Sequence, residues 1–197
     1  LLVCRSLRCS NVGHRFIGPA NIVLRSDRPL GALRTMGNME ELERFGVSDI
    51  PEFTWRQILD FDACTNCGRC QDNCPAYLSG KDLSPRRVIQ NLRAYSSYRG
   101  PQILAARATG EEPPEPDKAM IADFVGDTAL WDCVTCRACM EACPVYIEHI
   151  DSIVDMRRYL VMEQASMPEG AEGVLVNMEQ RGHPWRGTQA TRTDWLE

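Results

Sequence analysis

Two cysteine runs with the same spacing constrain this chain more than any other feature of its sequence. Each run reads Cys-x2-Cys-x2-Cys-x3-Cys-Pro, and the runs form an internal repeat in which Asp62–Tyr77 aligns with Trp131–Tyr146 at an offset of 69 residues. Three thiolates spaced along a tight loop can converge on one metal cluster, and this run is typical of proteins that bind two iron–sulfur clusters. We therefore expect the two segments to face each other in one domain.

The fourth cysteine of each run is expected to bind the cluster that belongs mainly to the other run. The predicted ligands of cluster one are Cys64, Cys67, Cys70 and Cys143, and those of cluster two are Cys133, Cys136, Cys139 and Cys74. Because this arrangement ties the two halves together, loss of metal should weaken the fold as well as the function. The predicted cofactors are two [4Fe-4S] clusters, and no catalytic residue is predicted.

Zinc and disulfides are the alternatives for the cysteines. Zinc uses four ligands per ion, often from paired Cys-x2-Cys units, whereas here a third and a fourth cysteine continue each run at iron–sulfur spacing. A disulfide framework needs an oxidising compartment. Cys4 and Cys9 lie outside the runs and are interpreted as incidental. The three histidines lack a second ligand at helical spacing and are interpreted as surface or structural residues: His14, His149 and His183.

The remaining sequence predicts an all-α fold, because no alternating strand pattern competes with the helical ones. Thr54 and Gln57 form a capping box ahead of the first run. Ser84-Pro85 suits the start of a second helix, which is predicted to end at Gly100-Pro101. Three prolines in residues 111–117 predict an exposed acidic loop.

Charge and composition divide the chain into three parts: a basic, extended N-terminal linker or juxtamembrane segment (1–50), a helical ferredoxin-like domain (51–167) and a C-terminal helical extension (168–197). Residues 1–37 carry a net charge of +5, and the rest of the chain sums to −10. The overall charge of −5 argues against nucleic-acid binding. The basic start fits a transit-peptide remnant, a cytoplasmic segment following a membrane helix, or a solvated loop. No apolar window is long enough for a complete membrane helix.

Beyond the cysteines, longer stretches of sequence resemble a known family. These are "FTWRQILDFDACTNCGRCQDNCPAYLSGKDLSPRRVI" (Phe53–Ile89), "CPVYIEHIDSIVDMRRYLVMEQ" (Cys143–Gln164) and "NMEQRGHPW" (Asn177–Trp185). Over roughly residues 14–197 the chain resembles the heterodisulfide-reductase-like iron–sulfur oxidoreductases. Within that family the quoted stretches look like the membrane-associated branch, which includes the electron-transfer-flavoprotein:quinone oxidoreductase-like proteins.

The resemblance implies a module that passes single electrons between a flavoprotein donor and a quinone- or disulfide-reducing partner. In that family a membrane domain with b-type haem precedes the module, and cysteine-rich CCG domains follow it. "HRFIGPANIVLR" (His14–Arg25) looks like the segment after the last membrane helix, with His14 a haem ligand in the parent. We thus expect a fragment, or a subunit whose missing parts are separate, on the cytoplasmic face of a membrane.

Two other functions stay open at this point. One is the iron–sulfur subunit of a glycolate, lactate or glycerol-3-phosphate dehydrogenase, which resembles the same module. The other belongs to a different class, a zinc-stabilised interaction module without redox function.

Overall fold

The computed structural model describes residues 11–29, 31–42, 44–185, 187, 193 and 196. All regular structure in these ranges is helical, which confirms the all-α prediction; Cys4 and Cys9 lie outside the described residues. The α-helices are α1 Asn11–Val23, α2 Trp55–Ala63, α3 Arg69–Asp72, α4 Pro75–Leu78, α5 Pro85–Thr109, α6 Asp127–Trp131, α7 Ala138–Glu141, α8 His149–Met162 and α9 Glu169–Arg181. A short 3-10 helix (Ile50–Glu52) precedes α2, and a π-helix (Met120–Val125) precedes α6.

The two helix starts predicted from local sequence are confirmed. The Thr54 side chain accepts a hydrogen bond from the Gln57 backbone, and the Gln57 side chain accepts one in return from the Thr54 backbone at 3.0 Å. The Ser84 hydroxyl accepts from Arg87 N at 3.2 Å. These caps satisfy backbone N–H groups that have no partner within the first turn of a helix, so they fix where α2 and α5 begin.

The predicted end of α5 at Gly100-Pro101 is wrong. The helix continues through Pro101 to Thr109 and ends at Gly110, whose backbone is left-handed with φ of 75°. Ile103 and Ala106 are buried on the continued part. Their burial offsets the one helical hydrogen bond that proline cannot donate.

The expectation of an extended N-terminal segment is wrong for Asn11–Val23, which forms α1 even though it contains Pro19. This helix packs against α2, and Asn21 at its end is fully buried. Tertiary packing has therefore overridden the local helix-breaking signals of glycine and proline. The described residues between Leu24 and Asp49 form turns and irregular chain.

Part of the basic segment is bound to the acidic face of α8. Arg28 lies 2.8 Å from both Glu148 and Asp151, and Arg34 lies 2.7 Å from Asp155. The interpretation as a solvated loop is therefore wrong for these two arginines.

No helix among the described residues combines the length and apolar character needed to cross a membrane.

The core lies among α2, α5, α6 and α8, where the largest buried side chains include Phe61, Leu92, Tyr95, Leu130 and Met156. The short helices α3 and α7 follow equivalent cysteines of the two runs and contact each other. This contact brings the two runs face to face, as the repeat predicts.

Candidate metal centre

The two cysteine runs adopt the same backbone conformation. Asn66 and Thr135 are left-handed with φ of 57° and 54°, and Gly68 and Arg137 are left-handed with φ of 89° and 67°. Each pair is separated by the repeat offset, and one turn of helix follows in both runs. Two left-handed residues turn the chain sharply, so that successive cysteine side chains point inward to a common space.

A small cavity lies at the first run. The cysteines that line it are Cys64, Cys67, Cys70 and Cys143. A second small cavity lies at the second run. The cysteines that line it are Cys133, Cys136, Cys139 and Cys74. Each cavity thus receives three cysteines from one run and the fourth from the other, in the combinations that the sequence predicts.

The chemistry of these thiols fits iron–sulfur clusters. All eight cysteines of the two runs are free, and burial raises the pKa of Cys70 to about 12. Burial also raises the pKa of Cys139, and the neighbouring cysteines add to the shift. Thiols packed in this way ionise only when a cation is present to hold the thiolates, and a bound metal supplies that charge.

No three Cys, His, Asp or Glu side chains of the described residues converge closely enough for a single ion.

Backbone N–H groups point at several of the sulfur atoms. Ile147 N lies 3.4 Å from Cys143 Sγ, and hydrogen bonds from the backbone of Gln71 and Thr135 lower the pKa values of Cys70 and Cys133 against the larger effect of burial. Such bonds favour the thiolate form and contribute to the reduction potential of a bound cluster.

The two cavities are direct neighbours. Cys70 of the first and Cys139 of the second are buried together with Ile150 in one small apolar cluster. Cys67 and Cys136, which occupy equivalent positions in the repeat, are exposed. Each site therefore has an inner side that faces the other site and an outer side that faces solvent.

His149 is a site residue that the sequence did not reveal. It lines the first cavity, is fully buried, and its Nδ1 lies 3.0 Å from the Ile147 carbonyl oxygen, which fixes Nδ1 as the donor. Burial lowers the pKa of His149 to about 4, so the imidazole is neutral at physiological pH.

A buried polar group also holds the loop that follows Cys143. Asn21 Nδ2 donates to Asp60 Oδ1 and to the Val145 carbonyl oxygen, at 2.8 Å in each case. Asp60 also accepts from Glu148 N at 3.2 Å and pairs with Arg56 at 3.1 Å. We infer that these contacts from α1 and α2 position the loop and, through it, the Cys143 thiol.

Five aromatic residues flank the two runs, and only the buried ones can exclude water from the sites. Phe61 is buried and Trp131 is partly buried. Trp55, Tyr77 and Tyr146 are exposed and do not shield the sites in this way.

Comparison with known proteins identifies the domain that contains the two runs. The 4Fe-4S dicluster domain matches residues 63–147, a range that contains both cysteine runs. The chain is 43% identical over 199 residues to the EtfAB:quinone oxidoreductase of Syntrophomonas wolfei, a match covering 93% of this chain and 28% of the relative. The chain therefore contains a 4Fe-4S dicluster domain and is similar in sequence to members of the heterodisulfide-reductase-like iron–sulfur family.

Two further relatives represent other parts of this family. A protein of Chromohalobacter salexigens named "Probable membrane-anchored ferredoxin" is 36% identical over 160 residues, which cover 76% of this chain and 24% of that protein. One component of a CoB-CoM heterodisulfide reductase of Methanosarcina acetivorans is 31% identical over 113 residues, which cover 56% of this chain and 53% of that component. The chain thus spans under a third of the length of the first two relatives.

The dicluster domain binds two [4Fe-4S] clusters and is an iron–sulfur electron-transfer module. The clusters supply one-electron redox chemistry when bound. The eight cysteines would hold the clusters side by side, because Cys70 and Cys139 are buried together between the two cavities and Cys67 and Cys136 are exposed. The zinc-stabilised alternative has no support among these findings.

Proposed function

We propose that this dicluster domain relays single electrons between a flavoprotein donor and a quinone- or disulfide-reducing partner. The observation that carries the proposal is the pair of adjacent four-cysteine cavities, each with one exposed cysteine on its outer side. An electron can then enter at one outer side, cross between the buried Cys70 and Cys139, and leave at the other. Names of relatives support the class of partner: one is an EtfAB:quinone oxidoreductase and another is part of a heterodisulfide reductase.

The ligand assignment is part of the proposal. Cluster one takes its fourth ligand from Cys143, and cluster two takes its fourth ligand from Cys74. The linings of the two cavities support this crossed arrangement.

Single serine variants test the assignment, because serine ligation changes the EPR spectrum and the potential of the cluster that carries it. Cys74→Ser should alter the same EPR signal as Cys136→Ser, and Cys143→Ser the same signal as Cys67→Ser. The exposed cysteines serve as reference variants, since each belongs to a known run. If Cys74→Ser instead alters the signal that Cys67→Ser alters, each run binds its own cluster and the crossed assignment is wrong.

Reduction by a flavoprotein tests the donor. Anaerobically reduced electron-transfer flavoprotein should bleach the brown dicluster domain rapidly. Bleaching by dithionite but not by the flavoprotein would remove the proposed donor while leaving the cofactor intact.

The proposal also places a membrane haem or quinone domain and a CCG-domain partner next to this module, as separate chains or as parts of the same one.

Attachment to the cytoplasmic face of a membrane is the final part of the proposal. The outward side of α1 exposes Phe16 by 71% and Val23 by 81%, with Ile22 less exposed beside them and Arg15 exposed on the same side. Apolar residues flanked by arginine on one side of a helix suit the boundary between headgroups and acyl chains of anionic lipid.

Vesicle sedimentation tests this placement. The protein should co-sediment with vesicles of anionic lipid and less with neutral ones, and the double variant F16S/V23S should reduce the bound fraction. Equal sedimentation of the variant and the parent protein would argue against a membrane role for this side of α1.

A further inference from the structure

The repeat places different residues at one equivalent position of the two sites. Asp62 and Trp131 are separated by the repeat offset of 69, and each lies two residues before the first cysteine of its run. Each also meets an arginine from one of the two longest helices, Arg93 of α5 in the first case and Arg157 of α8 in the second. The two sites can therefore be compared charge by charge.

At the first site the arginine is paired with an acid. Arg93 Nε lies 3.8 Å from Asp62 Oδ1, and both side chains are largely removed from solvent. The pair adds no net charge to the surroundings of Cys64.

At the second site the arginine has no acid. The Arg157 guanidinium lies over the Trp131 ring, 5.2 Å from its centroid. Arg157 Nε donates to the Leu130 carbonyl oxygen at 3.0 Å, and Nη2 contacts the carbonyl oxygens of Leu130 and Cys133. No carboxylate of the described residues contacts this half-buried side chain. The result is one uncompensated positive charge beside Cys133.

Other charges lie near both cavities. Arg86 lines the first cavity and Arg137 the second, and Asp132, which precedes Cys133, lies 3.6 Å from Lys81. Charged residues of both signs also line a cleft beside the exposed Cys136. Arg157 differs from these charges in its position, because its guanidinium contacts the Cys133 carbonyl oxygen with no acidic partner among the described residues.

We propose that Arg157 holds the reduction potential of the cluster at the second run above that of the cluster at the first run. Taking up one electron adds one negative charge to a cluster, and a nearby cation in a partly water-free setting stabilises the reduced form. An electron on cluster one then passes to cluster two, which oxidises the first and reduces the second. The outer side at Cys67 becomes the entry and the outer side at Cys136 the exit. This inference rests on the proposed ligand assignment.

An EPR-monitored redox titration with dithionite tests the proposal on the anaerobically purified protein. The parent protein should show two one-electron steps. Arg157→Met should lower the midpoint potential of the higher step and leave that of the lower step unchanged. Arg157→Lys keeps the positive charge and should lower the potential of the higher step by less. Arg158→Gln is the matched control, because the neighbouring Arg158 pairs with Asp155 at 2.9 Å and should move neither step.

The reciprocal variant keeps the test decisive if Arg157→Met fails to assemble its second cluster. Asp62→Asn removes the acid that neutralises Arg93, so it should raise the midpoint potential of the lower step and leave that of the higher step unchanged. A shift of both steps by the same amount, a shift of the wrong step, equal effects of Met and Lys, or no shift in Asp62→Asn would overturn the proposal. Iron content measured on the same samples separates this outcome from failure of the dicluster assignment, which would appear as a parent protein with far fewer than about eight irons per chain.

Discussion

Asp60 shows at the scale of a single residue how a buried charge supports the loop that presents Cys143. Its carboxylate is almost completely buried and receives hydrogen bonds from Asn21 and Glu148 in addition to its ion pair with Arg56. Burial raises the pKa of Asp60 to about 6, although Arg56 and Asn21 act in the opposite direction. The ionised form is thus less favourable in the folded protein than in the unfolded chain.

A pH dependence of stability follows from this shift. Between the unfolded pKa near 3.8 and the folded pKa of about 6, the folded state binds more protons than the unfolded state, so the contribution of Asp60 to stability rises as pH falls. Compared with Asp60→Asn, the parent protein should gain up to about 1 kcal/mol in free energy of unfolding between pH 7 and pH 5. Anaerobic chemical denaturation of both proteins at each pH measures their free energies of unfolding. If the difference between the two proteins stays constant over this range, or changes in the opposite direction, the pKa of Asp60 is not raised.

The grouping of the eight cysteines could be predicted from sequence because three of the four proposed ligands of each cluster lie within seven residues of one another. Asp60, His149 and Arg157 could not be predicted in the same way. Asp60 meets Glu148 across 88 positions of sequence, and Arg157 meets Leu130 across 27. Their roles arise from which helices pack together, and no local pattern in the sequence encodes that.

The secondary-structure elements fall into two groups in the same way: some are set by the local sequence and others by tertiary packing. The starts of α2 and α5 were predictable because a cap involves residues three positions apart. The formation of α1 and the continuation of α5 past Pro101 were not, because both depend on burial against other helices. Proline and glycine are reliable signals only where no tertiary packing opposes them.

Gly46 gives a prediction at this scale, because it marks the point where the irregular N-terminal segment touches α8. Its φ is +77°, and a Cβ there would lie 2.1 Å from Tyr159 N and 2.5 Å from the Asp155 carbonyl oxygen. Both the left-handed backbone and the contact oppose a side chain, so Gly46→Ala should lower the free energy of unfolding by about 3 kcal/mol.

Gly31→Ala is the matched control for that variant. Gly31 is also left-handed, with φ of +87°, but no atom lies within 4 Å of its added Cβ. Gly31→Ala should lower the free energy of unfolding by about 1 kcal/mol, from backbone strain alone. Equal losses in the two variants, measured by chemical denaturation, would show that the segment around Gly46 does not pack against α8 as described.

At the scale of the whole molecule, the two proposed clusters act as cross-links between segments that are far apart in the chain. Cys64 and Cys143 line one cavity, and Cys74 and Cys133 line the other. Both cavities border the main core, which includes Cys64, Cys74 and Cys143 among its buried residues. Binding of the clusters and folding of this domain should therefore be coupled.

Removal of the clusters should consequently loosen most of the domain. After anaerobic chelation of iron, amide hydrogen exchange should accelerate in α3, α7 and the start of α8, which surround the cavities. Helix α9, which has no buried residues, is the internal control and should exchange equally fast before and after. Unchanged protection around the cavities would mean that the fold does not depend on the metal.

Anomalous diffraction at the iron edge, from crystals grown without oxygen, would locate the irons and their ligands. We expect two compact groups of about four irons each per chain. One group should be bonded to the sulfurs of Cys64, Cys67, Cys70 and Cys143, and the other to those of Cys133, Cys136, Cys139 and Cys74. A single tetrahedral ion at either position, or clusters that each use all four cysteines of one run, would contradict this expectation.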